Sequence, residues 1–164
     1  MTATDQLLQN NEQYQYRYRQ RNLPAAPRHR VAVLACMDAR MDVHRVLGLS
    51  EGDAHVIRNA GGQATDDAIR SLAISQRRMG TTEIVLIHHT DCGMAKVTGD
   101  ELNAEVRAET GREPPFPWGT FTDVEQDLRE TVAAVRASPF IPHRDHVRGF
   151  LLDMDSGRLQ EVSG

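Results

Sequence analysis

The sequence predicts an α/β protein built on a mostly parallel, four-stranded sheet with helices on both faces. Four short runs are apolar throughout, which is typical of strands buried on both faces: residues 31–35, 54–57, 84–87 and 149–152. Segments with helical periodicity separate these runs, and strands that alternate with helices form parallel sheets. An extra antiparallel edge strand is compatible with the same pattern.

The first 28 residues form a polar N-terminal arm ahead of the first predicted strand. Its three tyrosines alternate with polar residues, and the segment is too polar to form a core of its own. We expect a helical or extended arm that lies on another surface, with a frayed terminus as the alternative. Arg17, Arg19 and Arg21 make a short basic run, which is too weak a signal to indicate nucleic-acid binding.

Two helical segments are well marked in the rest of the chain. Residues 65–79 place their apolar side chains largely on one side, and Gly80 follows as a stop signal. Residues 122–125 read Thr-Asp-Val-Glu, which matches a capping box and predicts the start of a second helix. Neither a linker nor a repeat interrupts the pattern, so we expect a single domain over residues 1–164 with 1–28 as its arm.

Composition and charge narrow the range of functions. The chain has 164 residues, of which 26% are charged, and a net charge of -4. This balance offers no general attraction for nucleic acid or an anionic membrane, and no apolar run approaches the roughly 20 residues that cross a bilayer. The N-terminus lacks the basic start and apolar stretch of a signal peptide. We therefore expect a cytoplasmic protein that binds neither nucleic acid nor membranes.

The residues that carry chemistry follow two of the predicted strands. A Cys-x-Asp-x-Arg segment occupies positions 36–40, and a His-x-x-Cys segment occupies positions 89–92. Sites in open parallel sheets form beyond the carboxyl ends of the strands, so two adjacent strands would bring Cys36 near His89 and Cys92. Thiolate and imidazole suit zinc, and three protein ligands leave a fourth position open, as in a catalytic site.

Simpler interpretations exist for these residues. The two cysteines could be small buried apolar residues. Asp38 and Arg40 could form an ordinary surface ion pair of little energetic value. His88 precedes His89 on a predicted strand and would point to the opposite face, so we interpret it as packed or hydrogen-bonded rather than as a ligand.

The two segments resemble the β-class carbonic anhydrases, whose marks are Cys-x-Asp-x-Arg and His-x-x-Cys. The resemblance covers nearly the whole chain in the compact microbial form of that family, and it includes the loop at 58–62, the helix at 66–79 and the late strand at 147–150. It implies one zinc ion per chain, bound by Cys36, His89 and Cys92. It also implies that Arg40 holds Asp38 away from the metal, and that Asp38 is a metal ligand only in a closed state.

The activity implied by the resemblance is the reversible hydration of carbon dioxide to bicarbonate and a proton, with zinc-bound hydroxide as the nucleophile. Asp38 and Arg40 would be catalytic residues. The backbone around Gly61 would lie near the substrate, although a glycine turn that needs a positive φ is the alternative. The family also implies a homo-oligomer, at least a dimer, whose arms lie on neighbouring subunits.

Two alternative functions stay open at this point. Carbonyl sulfide and carbon disulfide hydrolases resemble the same family and keep the same ligands, so the motifs do not separate the three substrates. A noncatalytic, zinc-stabilised binding protein is the alternative from another class. The Asp38–Arg40 pair argues against that alternative, because a binding protein needs no group to orient a nucleophile.

Overall fold

A computed structural model describes residues 1–18 and 22–162 of the chain. Arg19 and Arg21 of the basic run lie outside the described residues. The described helices are α1 (Ala3–Arg17), α2 (Val43–Leu47), α3 (Asp66–Met79), α4 (Gly99–Thr110) and α5 (Val124–Ala137), with short 3-10 helices at Ala60–Gly62 and Gly93–Ala95.

Five strands form one sheet, in the order β2-β1-β3-β4-β5. The first four run parallel: β1 (Val31–Cys36), β2 (Ala54–Asn59), β3 (Glu83–His89) and β4 (Val147–Leu152). At the edge, β5 (Leu159–Val162) pairs antiparallel with β4. The predicted sheet and its antiparallel edge strand are therefore confirmed.

Helices cover the two faces of the sheet unequally. On one face, α3 and α5 pack with Leu72 and Leu128 against the side chains of Leu34 and Leu86. The other face is covered by α2 and by loops, which pack against Val33 and neighbouring residues. Strands buried on both faces explain why the sequence shows continuous apolar runs rather than alternation.

Side-chain caps mark where α3 and α5 begin, and a glycine marks where α3 ends. Thr65 caps α3 with its side chain, and Gly80 ends that helix with a φ of 73°, as its position in the sequence predicted. The capping box predicted at residues 122–125 is wrong in detail, because Asp123 is the residue that caps α5. Its carboxylate accepts hydrogen bonds from the backbone amides of Glu125 and Gln126, which Asp does as well as Thr.

Two helices, the short α2 and the longer α4, were not predicted from the sequence. None of the residues of α4 is fully buried, and its half-buried apolar side chains, Leu102 and Val106, are too few for periodicity to reveal. The signal that was present is a capping box, in which Thr98 and Glu101 exchange side-chain and backbone hydrogen bonds.

The N-terminal arm is the helix α1, none of whose side chains is buried within the described part of the chain. It touches the rest of the protein through Tyr14, whose hydroxyl donates a hydrogen bond of 2.7 Å to a carboxylate oxygen of Glu51. The helical form of the arm agrees with the sequence prediction. None of the described helices has the length and apolar character needed to cross a membrane.

Candidate metal centre

The site lies at the carboxyl ends of the two central parallel strands. Cys36 is the last residue of β1 and His89 is the last residue of β3, and these strands are direct neighbours in the sheet. From β1 the chain passes to β2 on one side and then returns to β3 on the other, so the strand order reverses between β1 and β3. Such a switch point is where open α/β sheets form their sites.

Three donor atoms converge at this point. The Sγ atoms of Cys36 and Cys92 and a ring nitrogen of His89 all lie within 4.8 Å of one another, and all three residues are buried. The two sulfur atoms are 4.0 Å apart. Two thiolates at about 2.3 Å from a tetrahedral zinc ion would lie about 3.8 Å apart, so little movement is needed for both to bind one ion.

The orientation of the imidazole favours coordination through its far nitrogen. The Nδ1 atom of His89 lies 2.8 Å from the backbone carbonyl oxygen of Thr90, to which it donates. This bond fixes the tautomer and leaves a lone pair on Nε2. Within the described part of the chain, that buried Nε2 atom has no hydrogen-bond partner. A buried polar atom without a partner is costly unless something else binds it, so the donor set fits a metal ion.

The two thiols have very different acidities. Burial is the largest influence on Cys36 and opposes its ionisation, but the neighbouring His89 ring and the backbone amides of Asp38 and Gly61 together lower the pKa of Cys36 to about 7. Burial raises the pKa of Cys92 to about 11, and the nearby Cys36 adds to that rise. In the metal-free protein, the thiol of Cys92 therefore keeps its proton near neutral pH, and this proton must leave when a metal ion binds.

Asp38 and Arg40 form a tight pair beside the three donors. The side chain of Arg40 donates from Nε to Oδ1 of Asp38 at 3.0 Å and from Nη2 to Oδ2 at 2.8 Å, and the Arg40 amide adds a bond of 2.9 Å to Oδ1. These hydrogen bonds hold the pKa of Asp38 far below its usual range, so the group is a carboxylate. Its Oδ2 atom is 3.7 Å from His89 Nε2, close to the position a metal would occupy.

Arg40 has a second set of partners that the sequence did not reveal. Its Nη1 atom donates to Oδ2 of Asp91 at 2.8 Å, and its Nη2 atom donates to the backbone carbonyl oxygen of Asp91 at 3.1 Å. The other carboxylate oxygen of Asp91 pairs with Lys96. Lys96 and then Arg40 lower the pKa of Asp91 to about 2. Residues 40 and 91 belong to different loops, so no spacing rule could have paired them.

Gly61 lies next to the metal ligands. It belongs to the 3-10 helix Ala60–Gly62 and has a φ of 78°, a conformation that glycine adopts without penalty. Its backbone amide faces Cys36 and contributes to the low pKa of that thiol. The next residue, Gly62, lies against the backbone of β1 and β3, with Cys36 N only 2.9 Å from where a Cβ atom would stand.

His88 lies on the opposite face of the sheet from His89, as its position on the strand predicted. Its side chain is fully buried, and its Nε2 atom is 2.8 Å from Oδ2 of Asp127 on α5. The side chain of Gln63 donates to the other Asp127 oxygen at 2.9 Å. These bonds connect the loop that carries Gly61 to α5 and β3. His88 therefore stabilises the site from the opposite face of the sheet and does not contact the metal donors.

The fold and this cluster define a class, namely α/β proteins with a candidate metal site of two thiols and one imidazole at the switch point of a parallel sheet. The carbonic anhydrase family model matches residues 31–112, which is half of the chain. The chain is 47% identical to "Beta-carbonic anhydrase 1" of Mycobacterium tuberculosis over 163 residues, which is 99% of both chains. The chain therefore belongs to the β-carbonic anhydrase family.

Two further similarities bear on the function. The fold matches the crystal structure of a carbonic anhydrase from Streptococcus mutans with a TM-score of 0.93 and 41% identity, over 99% of both chains. The chain is also 36% identical to a carbon disulfide hydrolase of Acidithiobacillus thiooxidans over 151 residues, which is 80% of this chain and 76% of the other.

Proposed function

We propose that this protein hydrates carbon dioxide reversibly to bicarbonate and a proton, with one zinc ion held by Cys36, His89 and Cys92. The observation that carries the proposal is the convergence of these three buried donors within 4.8 Å of one another, next to a carboxylate held by an arginine. Zinc, when bound there, would supply Lewis-acid activation of a water molecule near neutral pH.

The chain's own residues would prepare that chemistry. Two thiolates and a neutral imidazole supply three ligands, and the Thr90 carbonyl keeps the imidazole in the tautomer that binds through Nε2. Asp38 is ionised, and its Oδ2 atom lies 3.7 Å from His89 Nε2, so it would accept a hydrogen bond from a water molecule beside the three donors and orient that molecule. Arg40 holds the carboxylate so that it does not itself become a ligand.

Carbon dioxide is favoured over carbon disulfide and carbonyl sulfide by the extent of the similarity. The mycobacterial carbonic anhydrase shares 47% of its residues over 99% of both chains, whereas the carbon disulfide hydrolase shares 36% over 80% of this chain. The same ligand set would act on all three linear molecules, so the ligands alone do not select among them. Substrate preference depends on the surroundings of the open position.

The test is a parallel assay of the zinc-loaded protein with carbon dioxide, carbonyl sulfide and carbon disulfide at equal concentrations. We expect carbon dioxide to be the best substrate by kcat/KM. The matched control is Cys92→Ala, which removes one ligand and should lose zinc and activity together. A higher kcat/KM for carbon disulfide would replace the proposed substrate, and zinc-loaded protein without activity on any of the three would refute the enzyme assignment.

We also propose that the chain forms a homo-oligomer, at least a dimer. The helix α1 supports this because it buries none of its side chains within its own chain and exposes Leu7, Leu8 and Tyr16. Exposed apolar side chains of this kind gain stability when a neighbouring subunit covers them. Sedimentation at micromolar concentration should show a species of at least twice 18.3 kDa. A monomer as the sole species would refute this proposal.

A further inference from the structure

Arg40 connects two loops that come from different strands. On one side it binds the carboxylate of Asp38, which follows β1, and on the other it binds the carboxylate and the backbone carbonyl of Asp91, which follows β3. These contacts use most of the five N–H donors of the guanidinium group. The side chain of Arg40 is 51% exposed, so these bonds, rather than close packing, fix its position.

The backbone conformation of Asp91 favours its contact with Arg40. It has a φ of 55°, in the left-handed region that Asp and Asn adopt more readily than other side chains. With the backbone in this conformation, the carbonyl oxygen and the side chain of Asp91 both reach the guanidinium of Arg40. Lys96 binds the remaining carboxylate oxygen and holds Asp91 from the far side.

The contact matters because Asp38 is already close to the metal position. Its Oδ2 atom is 3.7 Å from His89 Nε2, the atom expected to bind the metal. If Arg40 were bound to Asp38 alone, the exposed Arg40 side chain and the half-buried Asp38 side chain could move together. Because Arg40 is also bound to the loop between His89 and Cys92, Asp38 has to break its bonds to Arg40 before it can reach the metal.

We propose that Asp91, held by Lys96, is a positioning residue that fixes Arg40 and so keeps the nearby Asp38 carboxylate from binding the metal. This inference rests on the proposed function, and it adds a second carboxylate, that of Asp91, to the Asp38–Arg40 pair. Asp91 itself does not touch substrate or metal in this scheme. It acts only through Arg40.

The test compares zinc-loaded Asp91→Asn and Asp91→Gly with the wild type. Both substitutions suit a positive φ, so the backbone keeps its shape. Asn retains an oxygen that accepts from Arg40 but loses the charge, whereas Gly loses the whole side chain. We expect kcat near neutral pH to fall about three- to tenfold in Asp91→Gly and less in Asp91→Asn, with recovery at alkaline pH. KM should stay within about twofold of the wild-type value.

Two further variants test whether the effect is specific. Lys96→Gln removes the outer partner of Asp91, so it should shift the pH–rate profile in the same direction by a smaller amount. The control is Asp67→Asn, which breaks an exposed Asp–Arg pair on α3 with hydrogen bonds of 2.6 and 2.9 Å to Arg70. Its rate and pH–rate profile should match those of the wild type.

A structural measurement makes the inference independent of the assigned substrate. In crystals of zinc-loaded Asp91→Gly near neutral pH, we expect Arg40 to be displaced and an Asp38 oxygen to lie about 2.0–2.2 Å from zinc. Wild-type crystals under the same conditions should keep Asp38 on Arg40. Arg40 in its original place with a wild-type pH–rate profile in Asp91→Gly would overturn the inference. Inactive wild-type protein whose Asp91→Gly variant shows the displacement would instead refute the proposed function alone.

Discussion

Replacing Gly62 by alanine should destabilise the protein far more than an ordinary glycine substitution. Gly62 has a φ of 71°, and an added Cβ would lie 2.9 Å from Cys36 N, 3.0 Å from Ala35 C and 3.1 Å from Ile87 O. All three are backbone atoms of the two central strands, so no side chain can move aside to make room. The 3-10 helix or the strands would have to shift next to the metal ligands.

The magnitude follows from two contributions. A non-glycine residue with a positive φ costs about 1–2 kcal/mol, and overpacking against a rigid backbone costs about 1–3 kcal/mol. The sum is about 2–5 kcal/mol of the free energy of unfolding. For a chain of this size each kcal/mol lowers Tm by about 2–4 °C, so Gly62→Ala should lower Tm by roughly 4–20 °C.

Gly80→Ala is the matched control for this prediction. Gly80 has a φ of 73°, but in the described part of the chain no atom lies within 4 Å of where its Cβ would stand. It carries the conformational cost alone, about 1–2 kcal/mol. Thermal unfolding of both variants in metal-free form, followed by zinc titration, separates the two contributions. Equal losses of Tm, or unchanged zinc affinity in Gly62→Ala, would refute the reasoning about this contact.

Three more predictions concern the site and its support. Arg40→Ala should lower the rate of carbon dioxide hydration near neutral pH by about tenfold or more, since Asp38 becomes free to bind the metal. Zinc content should stay near one per chain. A normal rate would show that Arg40 does not keep Asp38 off the metal. Zinc affinity of the metal-free protein should rise with pH by about tenfold per unit between the Cys36 pKa of about 7 and the Cys92 pKa of about 11, because zinc displaces the Cys92 proton in that window. Calorimetry in buffers of different ionisation enthalpy measures this proton release, and its absence at pH 8 would contradict the assignment of the two thiols. His88→Ala should lower the free energy of unfolding by about 2–4 kcal/mol with zinc content unchanged, because it leaves a cavity and removes one of the two hydrogen-bond partners of Asp127. Loss of zinc in a folded His88→Ala protein would mean that His88 affects the metal directly.

Much of the fold could be predicted because the parallel sheet leaves a strong pattern in the sequence. Strands buried on both faces appear as continuous apolar runs, and β1 and β3 were both identified in this way. Their shared orientation also predicted that Cys36 and His89 would meet if the two strands were neighbours, because the carboxyl ends of parallel strands lie at the same edge, and the structure pairs these strands directly. The helix α4 was missed because none of its residues is fully buried and only Leu102 and Val106 are half-buried apolar side chains, which is too short a stripe to show as periodicity.

The supporting contacts of the site could not be predicted in the same way. Arg40 and Asp91 are 51 residues apart, and His88 and Asp127 are 39 residues apart. Each pair depends on how loops and helices pack after the sheet has formed, and local spacing carries no information about that packing. The sequence indicated that His88 would be packed or hydrogen-bonded, but its partner on α5 is visible only in the structure.

The most direct test of the central claim is a zinc titration of the metal-free protein followed by stopped-flow measurement of carbon dioxide hydration. We predict that the rate rises in proportion to added zinc and stops rising at one equivalent per chain, because Cys36, His89 and Cys92 form one site. Cys92→Ala, titrated in parallel, should stay at the background rate. Full hydration activity without metal, or one tightly bound zinc ion per chain with no hydration above background, would contradict the account.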